Sequence, residues 1–222
     1  MTTTAPTKRL SFLLVGSSGV EIASFASRDR WGMIHSAQPW SPRVCSCGDV
    51  HEPCAPAVLT VLIGRPDRSI HIDTHACGLA VSPKDAPWER PDCSEVSCPT
   101  DDFNPWALAV VRHVVSGATD AGLVGFDLQD LVTTLRPPRR LHFSRGTSPD
   151  DVIAAANAVV EGASWLSPSI RSATIGIWSG PRTTLADIST AATLIADRLV
   201  DGEVYLFTPL AESEAVASVL GA

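Results

Sequence analysis

Two aspartates three residues apart, Asp127 and Asp130, close the run Gly122-Leu-Val-Gly125-Phe-Asp127-Leu-Gln-Asp130. Paired carboxylates at a helix start can orient a water for hydrolysis. The same residues suit plain helix chemistry, Asp127 as an N-cap and Asp130 against the positive end of the helix dipole. A second group is Cys45, Cys47, His51 and Cys54, three thiols and an imidazole within ten residues. Zinc takes four such ligands in a tetrahedron. Cys-x-Cys is a tight spacing for that, and reduced cysteines on an irregular loop are the competing reading. Cys77, Cys93, Cys98, His71 and His75 are further possible ligands. A third group is Gly16-Ser17-Ser18-Gly19, directly after an apolar run. Glycine there lets backbone N–H groups approach a phosphate, although an ordinary strand-to-helix turn has the same composition. No Walker-type Gly-x-x-x-x-Gly-Lys is present.

The elements that must position these residues are unevenly legible. Leu10 to Val15 reads as a buried parallel strand, Val20 to Ala26 as a helix start, and Ala57 to Ile63 as a second strand. Ser69 to Asp73 is a third strand candidate. Trp31 to Ala55 has no clear period, and Pro83 to Pro105, with five prolines, reads as loop. From Phe103 the pattern sharpens. Phe103, Trp106, Ala107, Val110, Val111, Val114, Ala118 and Ala121 mark one face of a long helix. A shorter helix follows the aspartates and stops before Pro137-Pro138. Leu141 to Ser144 reads as a strand. Ser148-Pro149-Asp150-Asp151 predicts a helix start with Ser148 as cap and Pro149 at the first position. Val152, Ala156, Val159 and Ala163 then face inward. Thr174 to Trp178 is a strand. Thr184 with Asp187 predicts a capping box for a helix burying Leu185, Ile188, Ala192, Ile195 and Leu199. Glu203 to Phe207 and Ala215 to Leu220 close the chain as strands.

The 222 residues suffice for a substantial core, and 45% hydrophobic with 18% charged residues describes a folded chain. No apolar run approaches the ~20 residues of a membrane span, and no signal core precedes the first strand. A cytoplasmic protein with mostly reduced cysteines is expected. The net charge of -7 argues against nucleic acid or an anionic membrane as partner. Residues 1–100 carry -1 of it and residues 101–222 carry -6. Arg136, Arg139, Arg140 and Arg145 form a basic spot on that acidic half. It is either a solvated loop and strand end or a contact for an acidic surface.

The run from Gly122 to Leu131 resembles the synergy loop of the FtsZ/tubulin family, Gly-Leu-Ile-Asn-x-Asp-x-x-Asp-Val, with Gly125 in place of Asn. Further matches follow in the family's order. Arg139 to Gly146 stands where the family has Gly-Tyr-Ala-Met-Met-Gly-x-Gly. Arg171-Ser-Ala-Thr-Ile-Gly-Ile-Trp-Ser-Gly180 is similar to Ala-x-Gly-Val-Leu-Val-Asn-Ile-Thr-Gly. Thr184-Leu-Ala-Asp-Ile is similar to Leu-x-Glu-Val. Upstream, only Leu13-Leu-Val-Gly16-Ser17-Ser18-Gly19 resembles the first phosphate loop. The second, Gly-Gly-Gly-Thr-Gly-Thr-Gly, occurs nowhere.

The resemblance implies an α/β fold: a reduced Rossmann-like N-terminal half, a long central helix, and a small C-terminal α/β domain with a mixed sheet. Its divisions are 1–102, a Cys/Pro-rich degenerate nucleotide-binding-like half; 103–135, the central and synergy-loop helices; and 136–222, the C-terminal domain. It implies a pseudo-GTPase acting in the cytoskeleton or in cell division. Such a chain docks on or caps a tubulin-like filament through the synergy-loop face. Asp127 and Asp130 act on a neighbour's nucleotide if they are catalytic at all. GTP is not expected as a cofactor, and zinc is possible. The partner is an FtsZ-like or tubulin-like protein, or a second copy. The alternatives are a diverged active GTPase that self-polymerises and a zinc-stabilised binding module reusing the fold.

Overall fold

The computed structural model describes residues 11–16, 41–46, 59–65, 77–119, 123–124, 128–199, 202–209 and 214–222. Among them are nine strands: β1 (Ser11–Gly16), β2 (Ser41–Ser46), β3 (Leu59–Ile63), β4 (Cys77–Ser82), β5 (Ser94–Ser97), β6 (Arg140–Ser148), β7 (Ser172–Trp178), β8 (Glu203–Phe207) and β9 (Ala215–Gly221). Four helices accompany them: α1 (Phe103–Thr119), α2 (Leu128–Leu135), α3 (Val152–Gly162) and α4 (Leu185–Ala196). The strands form one sheet in the order β2-β1-β3-β4-β5-β6-β9-β7-β8. Every neighbouring pair is parallel except those made by β9, which runs against β6 and β7. The sheet is thus the mixed α/β arrangement that the sequence implies.

One strand joins the halves. Arg140 and Leu141 of β6 pair with Glu95 and Val96 of β5. From His142 to Ser148 the same strand pairs with β9. Its alternating exposure, with Leu141 and Phe143 buried, is the half-buried pattern that period-2 reading detects. By contrast β4, β7 and β9 are buried along their whole length. Two-sided burial favours continuous apolar runs, and these are visible for β7 and β9 but not for β4.

Three strands fall where the sequence shows none: β2 within 31–55, β4 just before the proline-rich stretch, and β5 inside it. Cys77-Gly-Leu-Ala-Val-Ser82 and Ser94-Glu-Val-Ser97 are short and small or polar, so they carry little strand propensity of their own. Their neighbours in the sheet hold them extended. The expected helix at Val20–Ala26 and strand at Ser69–Asp73 lie outside the described residues.

One helix start and one burial differ in detail. Ser148 stays extended because it still pairs with Ala215, and α3 starts at Val152 instead of Pro149. Its cap is Asp151, which accepts from Ile153 N at 2.8 Å and Ala154 N at 3.1 Å. The capping box of α4 forms as expected: Asp187 N donates to Thr184 Oγ1, and Thr184 N donates to Asp187 Oδ2. These bonds from Thr184 also hold the Asp187 carboxyl below its usual range. Leu185, expected inside, is 65% exposed, because it sits in the first turn, while Ile188, Ile195 and Leu199 point into the core.

Successive residues of β9 separate two cores. Leu220 belongs with Leu59, Val61, Leu79, Val96 and the α1 face of Val110, Val111 and Val114. Ala215, Ala217 and Val219 belong with Ile175, Ile177, α3 and α4. The central helix α1 therefore lies on one face of the sheet, and α3 and α4 on the other.

His113 fixes α1 in that position. It is fully buried, its Nδ1 lies 2.7 Å from Ser218 Oγ of β9, and its Nε2 lies 2.8 Å from Thr174 Oγ1 of β7. Thr174 also donates towards Leu220 O at 3.4 Å. Its hydroxyl then accepts from Nε2–H, which leaves Nδ1 to accept from Ser218. Phe143, Phe207 and Trp178 surround the ring at 5.7, 4.9 and 6.2 Å. Burial pushes its pKa down to about 3.

Between pH ~6.5 and ~3 the unfolded chain therefore binds a proton that the folded chain refuses. Stability is full above pH ~6.5 and falls as the pH falls through this window, by about 2 kcal/mol between pH 7 and pH 5. Urea denaturation at the two pH values reads this directly. His113→Gln, which has no titrating group, flattens the profile. An equally flat profile in the unsubstituted protein would refute the buried neutral imidazole.

Candidate functional site

In parallel α/β sheets, ligands bind outside the carboxyl ends of the strands, where glycine-rich turns and helix starts present N–H groups. Here the carboxyl end of β4 runs into Pro83-Lys-Asp-Ala-Pro87-Trp88-Glu-Arg-Pro91-Asp92, a strap with no helix, before β5 begins. The strap folds back over the sheet. Gly78 makes room for it: a Cβ there would lie 2.4 Å from the Cβ of Cys93.

Glu95 ties this strap down. Its Oε1 accepts from Ser82 Oγ and from Trp88 N, each at 2.8 Å, and its Oε2 accepts from Glu89 N at 3.2 Å. Glu89 is held at a φ of 50°, a conformation costly for a residue with a side chain. Trp88 is buried, and its Nε1 donates to Gly64 O at 2.8 Å, just past the end of β3. Gly64 turns the chain there with a φ of 99° and donates to Val81 O. The carboxyl ends of β3 and β4 are therefore covered by an indole and lined by a carboxylate. Neither Glu95 nor Trp88 stands out in the sequence.

Gly16 is the last residue of β1, between Ser46 and Ile63 in register. Ser17, Ser18 and Gly19 lie outside the described residues.

The acidic loop sits at the other side of the sheet. Leu123 N donates to Thr208 O at 3.2 Å and Val124 N to Thr208 Oγ1 at 2.8 Å, immediately beyond β8. Leu123 itself is 55% exposed. Asp130 is half-buried in the first turn of α2, and Asp127 lies outside the described residues. The Asp130 carboxylate is near the Tyr205 phenol, whose pKa is raised by burial first, then by Glu203, and then by Asp130. At its other end α2 joins both halves. Ser94 Oγ donates to Leu135 O at 2.7 Å, and Ser172 Oγ donates to Thr134 Oγ1 at 3.2 Å.

β1 is second and β8 ninth in the sheet order. At ~4.8 Å per neighbour, the Gly16 turn and the Thr208 end lie on the order of 30 Å apart. One chain therefore does not bring together Gly16 and the side of the sheet carrying Leu123 and Asp130.

The cysteines divide. Cys45 is in β2, while Cys47, His51, Cys54, His71 and His75 lie outside the described residues. Cys77, Cys93 and Cys98 are buried free thiols. Burial pushes Cys93 up to about 12 and raises Cys77, the latter against the opposing pull of Arg136. Such thiols resist the ionisation that zinc ligation needs. Among the described residues no group of three or more His, Cys, Asp or Glu converges. No helix among them is long and apolar enough to cross a membrane. The basic spot is two places. Arg136, Arg139 and Arg140 lie at the start of β6, where Arg139 donates to Pro137 O and Arg136 O. Arg145 is paired with Glu214 at 3.1 Å further along the strand.

No family model matches the sequence, and no curated protein matches it. Solved structures do. An FtsZ W319Y mutant from M. jannaschii superposes with a TM-score of 0.68 at 10% identity, covering 96% of this chain and 91% of that one. An empty FtsZ dimer from the same organism gives 0.65 at 11% identity, covering 97% and 89%. CetZ2 from Haloferax volcanii, in a GTPγS-bound protofilament, gives 0.53 at 14% identity, covering 96% and 92%. The chain has an FtsZ/tubulin-like fold.

The strap provides the test of the covered crevice. Glu95→Ala leaves the Trp88 and Glu89 amides without their acceptor, at a cost of about 2–4 kcal/mol. Hydrogen exchange at those two amides should accelerate at the same time. An unchanged denaturation midpoint with unchanged exchange would mean that the carboxylate does not hold the strap.

Proposed function

We propose that this FtsZ-like chain is a filament-docking subunit that does not hydrolyse GTP itself. It engages a tubulin-like polymer through the face carrying Leu123 and Asp130. The observation that carries this reading is the closed end of β3 and β4. A nucleoside triphosphate needs a cradle of N–H groups to offset the desolvation of its charge. The β4–β5 strap offers instead a buried carboxylate with its donors already engaged.

The opposite end supports the docking half of the reading. Leu123 is exposed on a loop held by two bonds to Thr208, so it presents an apolar contact at little cost in loop entropy. Asp130 stands on the helix that this loop leads into. With the phosphate-type turn far across the sheet, the acid can serve a nucleotide only if a neighbouring subunit supplies it. A subunit with one of the two unlike surfaces of a head-to-tail contact joins a filament at one end and stops it there. That is capping, and it fits a role in cytoskeletal regulation or cell division.

The test is co-assembly with an FtsZ-type polymer. Isothermal titration with Mg²⁺ and GTP should give no heat. Substoichiometric amounts of the chain should shorten the polymer in a sedimentation assay. Asp130→Ala and Leu123→Glu should each weaken that effect about 10-fold or more. Their unfolding midpoints should move by no more than ~1 kcal/mol. GTP turnover by the isolated chain would replace this reading with the diverged GTPase. A polymer indifferent to the chain would end it.

A further inference from the structure

A second interaction surface lies along the outer edge of the sheet, next to the loop face, whose Leu123 bonds Thr208 just past β8. Among the described residues, β8 is the last strand in the order and pairs on one side, with β7. Glu203 N donates to Arg171 O at 2.9 Å, so the ladder with β7 uses Glu203, Tyr205 and Phe207. The N–H and C=O groups of Val204 and Leu206 therefore point to the open edge.

Such edges are usually blunted with proline, lysine or a bulge. The strand at the other end of the sheet carries Pro42 and Arg43. β8, Glu-Val-Tyr-Leu-Phe, has none of these, and Val204 is exposed. Its only charge, Glu203, is engaged by the Tyr205 hydroxyl at 3.1 Å.

We infer that β8 pairs antiparallel with β8 of a second copy, joining two sheets edge to edge. The sequence of the strand suits itself. With Tyr205 opposite Tyr205 on a two-fold axis, Val204 faces Leu206 and Glu203 faces Phe207. The two glutamates never meet, and all outward groups of Val204 and Leu206 find partners. Any other centre shortens the overlap. An isologous contact of this kind closes on itself and forms a dimer. A five-residue strand pair alone is smaller than the ~1,200 Å² of a standard stable interface, so the dimer is concentration-dependent. The chain's charge of -7 opposes association, and salt that screens it strengthens the dimer.

Sedimentation velocity over a range of concentrations tests this. The unsubstituted chain should move from monomer to dimer mass, at lower concentration when salt is added. Val204→Pro removes an outward N–H and no bond to β7, and should weaken the dimer at least about 10-fold. Val204→Lys keeps every sheet bond and should do the same. In Tyr205→Cys, opposed Cα atoms ~4.5 Å apart permit a disulfide. Oxidation should then give a covalent dimer linked 205 to 205 by mass spectrometry. A monomer at every soluble concentration would overturn the inference. So would a dimer insensitive to both Val204 variants, or a β8 edge protected from amide exchange only when a different chain is added.

Discussion

The imidazole of His113 carries the contact between the central helix and the C-terminal strands, because both its nitrogens bond hydroxyls from two different strands. Apolar packing alone would let α1 slide along its face, since Val110, Val111 and Val114 present a smooth apolar stripe to the sheet. A buried ring with two directed bonds, to Ser218 and Thr174, has one good position. The aromatic shell then follows from it. Phe207 and Trp178 meet at 5.4 Å beside the ring, and Gly176 leaves the space that they fill. Phe207 ends β8 just before Thr208, which anchors Leu123 and Val124. Leu123 and Val124 are thus linked to His113 through a ring contact, the chain from Phe207 to Thr208, and two hydrogen bonds.

Glu95 is the counterpart in the N-terminal half. It too is a buried polar group whose bonds reach three separate places, and it too sits where hydrophobic periodicity gives no instruction. The two groups work on opposite faces of the sheet and are joined through β6, the strand bonded to both halves. α2 adds a second join, with Leu135 held by Ser94 and Thr134 by Ser172. Relative movement of the halves would break these bonds together, so the two ends of the sheet are held at a fixed separation.

What could be read from the sequence follows from this division. Residues from Phe103 onward show their helices and strands because α1, α4, β7 and β9 have one dominant periodicity each. The loop at Asp127 and Asp130 was visible because its residue types match a pattern. β4 and β5 were not, since a strand such as Ser94-Glu-Val-Ser97 exists through its neighbours and has no signal of its own. No motif in the sequence singles out His113. Only the fold brings Thr174 and Ser218, 61 and 105 residues later, against its ring. Leu185 shows the converse error: its spacing matches the buried face of α4, but in the first turn it stays largely exposed.

These constraints also bear on whether a phosphate could bind at the carboxyl ends of β3 and β4. Here the crevice holds Trp88, hydrogen-bonded to the end of β3, and a carboxylate that already accepts three hydrogen bonds. A phosphate about 5 Å from that carboxylate would meet a repulsion of about 3 kcal/mol per charge at an effective dielectric of ~20. It would also have to displace an indole already packed there. Both costs come from residues that stabilise the strap. In the proposed reading, the fold of this half therefore depends on the same contacts that exclude the nucleotide. The loop end carries no such conflict, because the bonds that hold it, from Leu123 and Val124 to Thr208, leave the Leu123 side chain in solvent. On the proposed reading, the loop end is stabilised without being closed, whereas the contacts that stabilise the strap also close the other end.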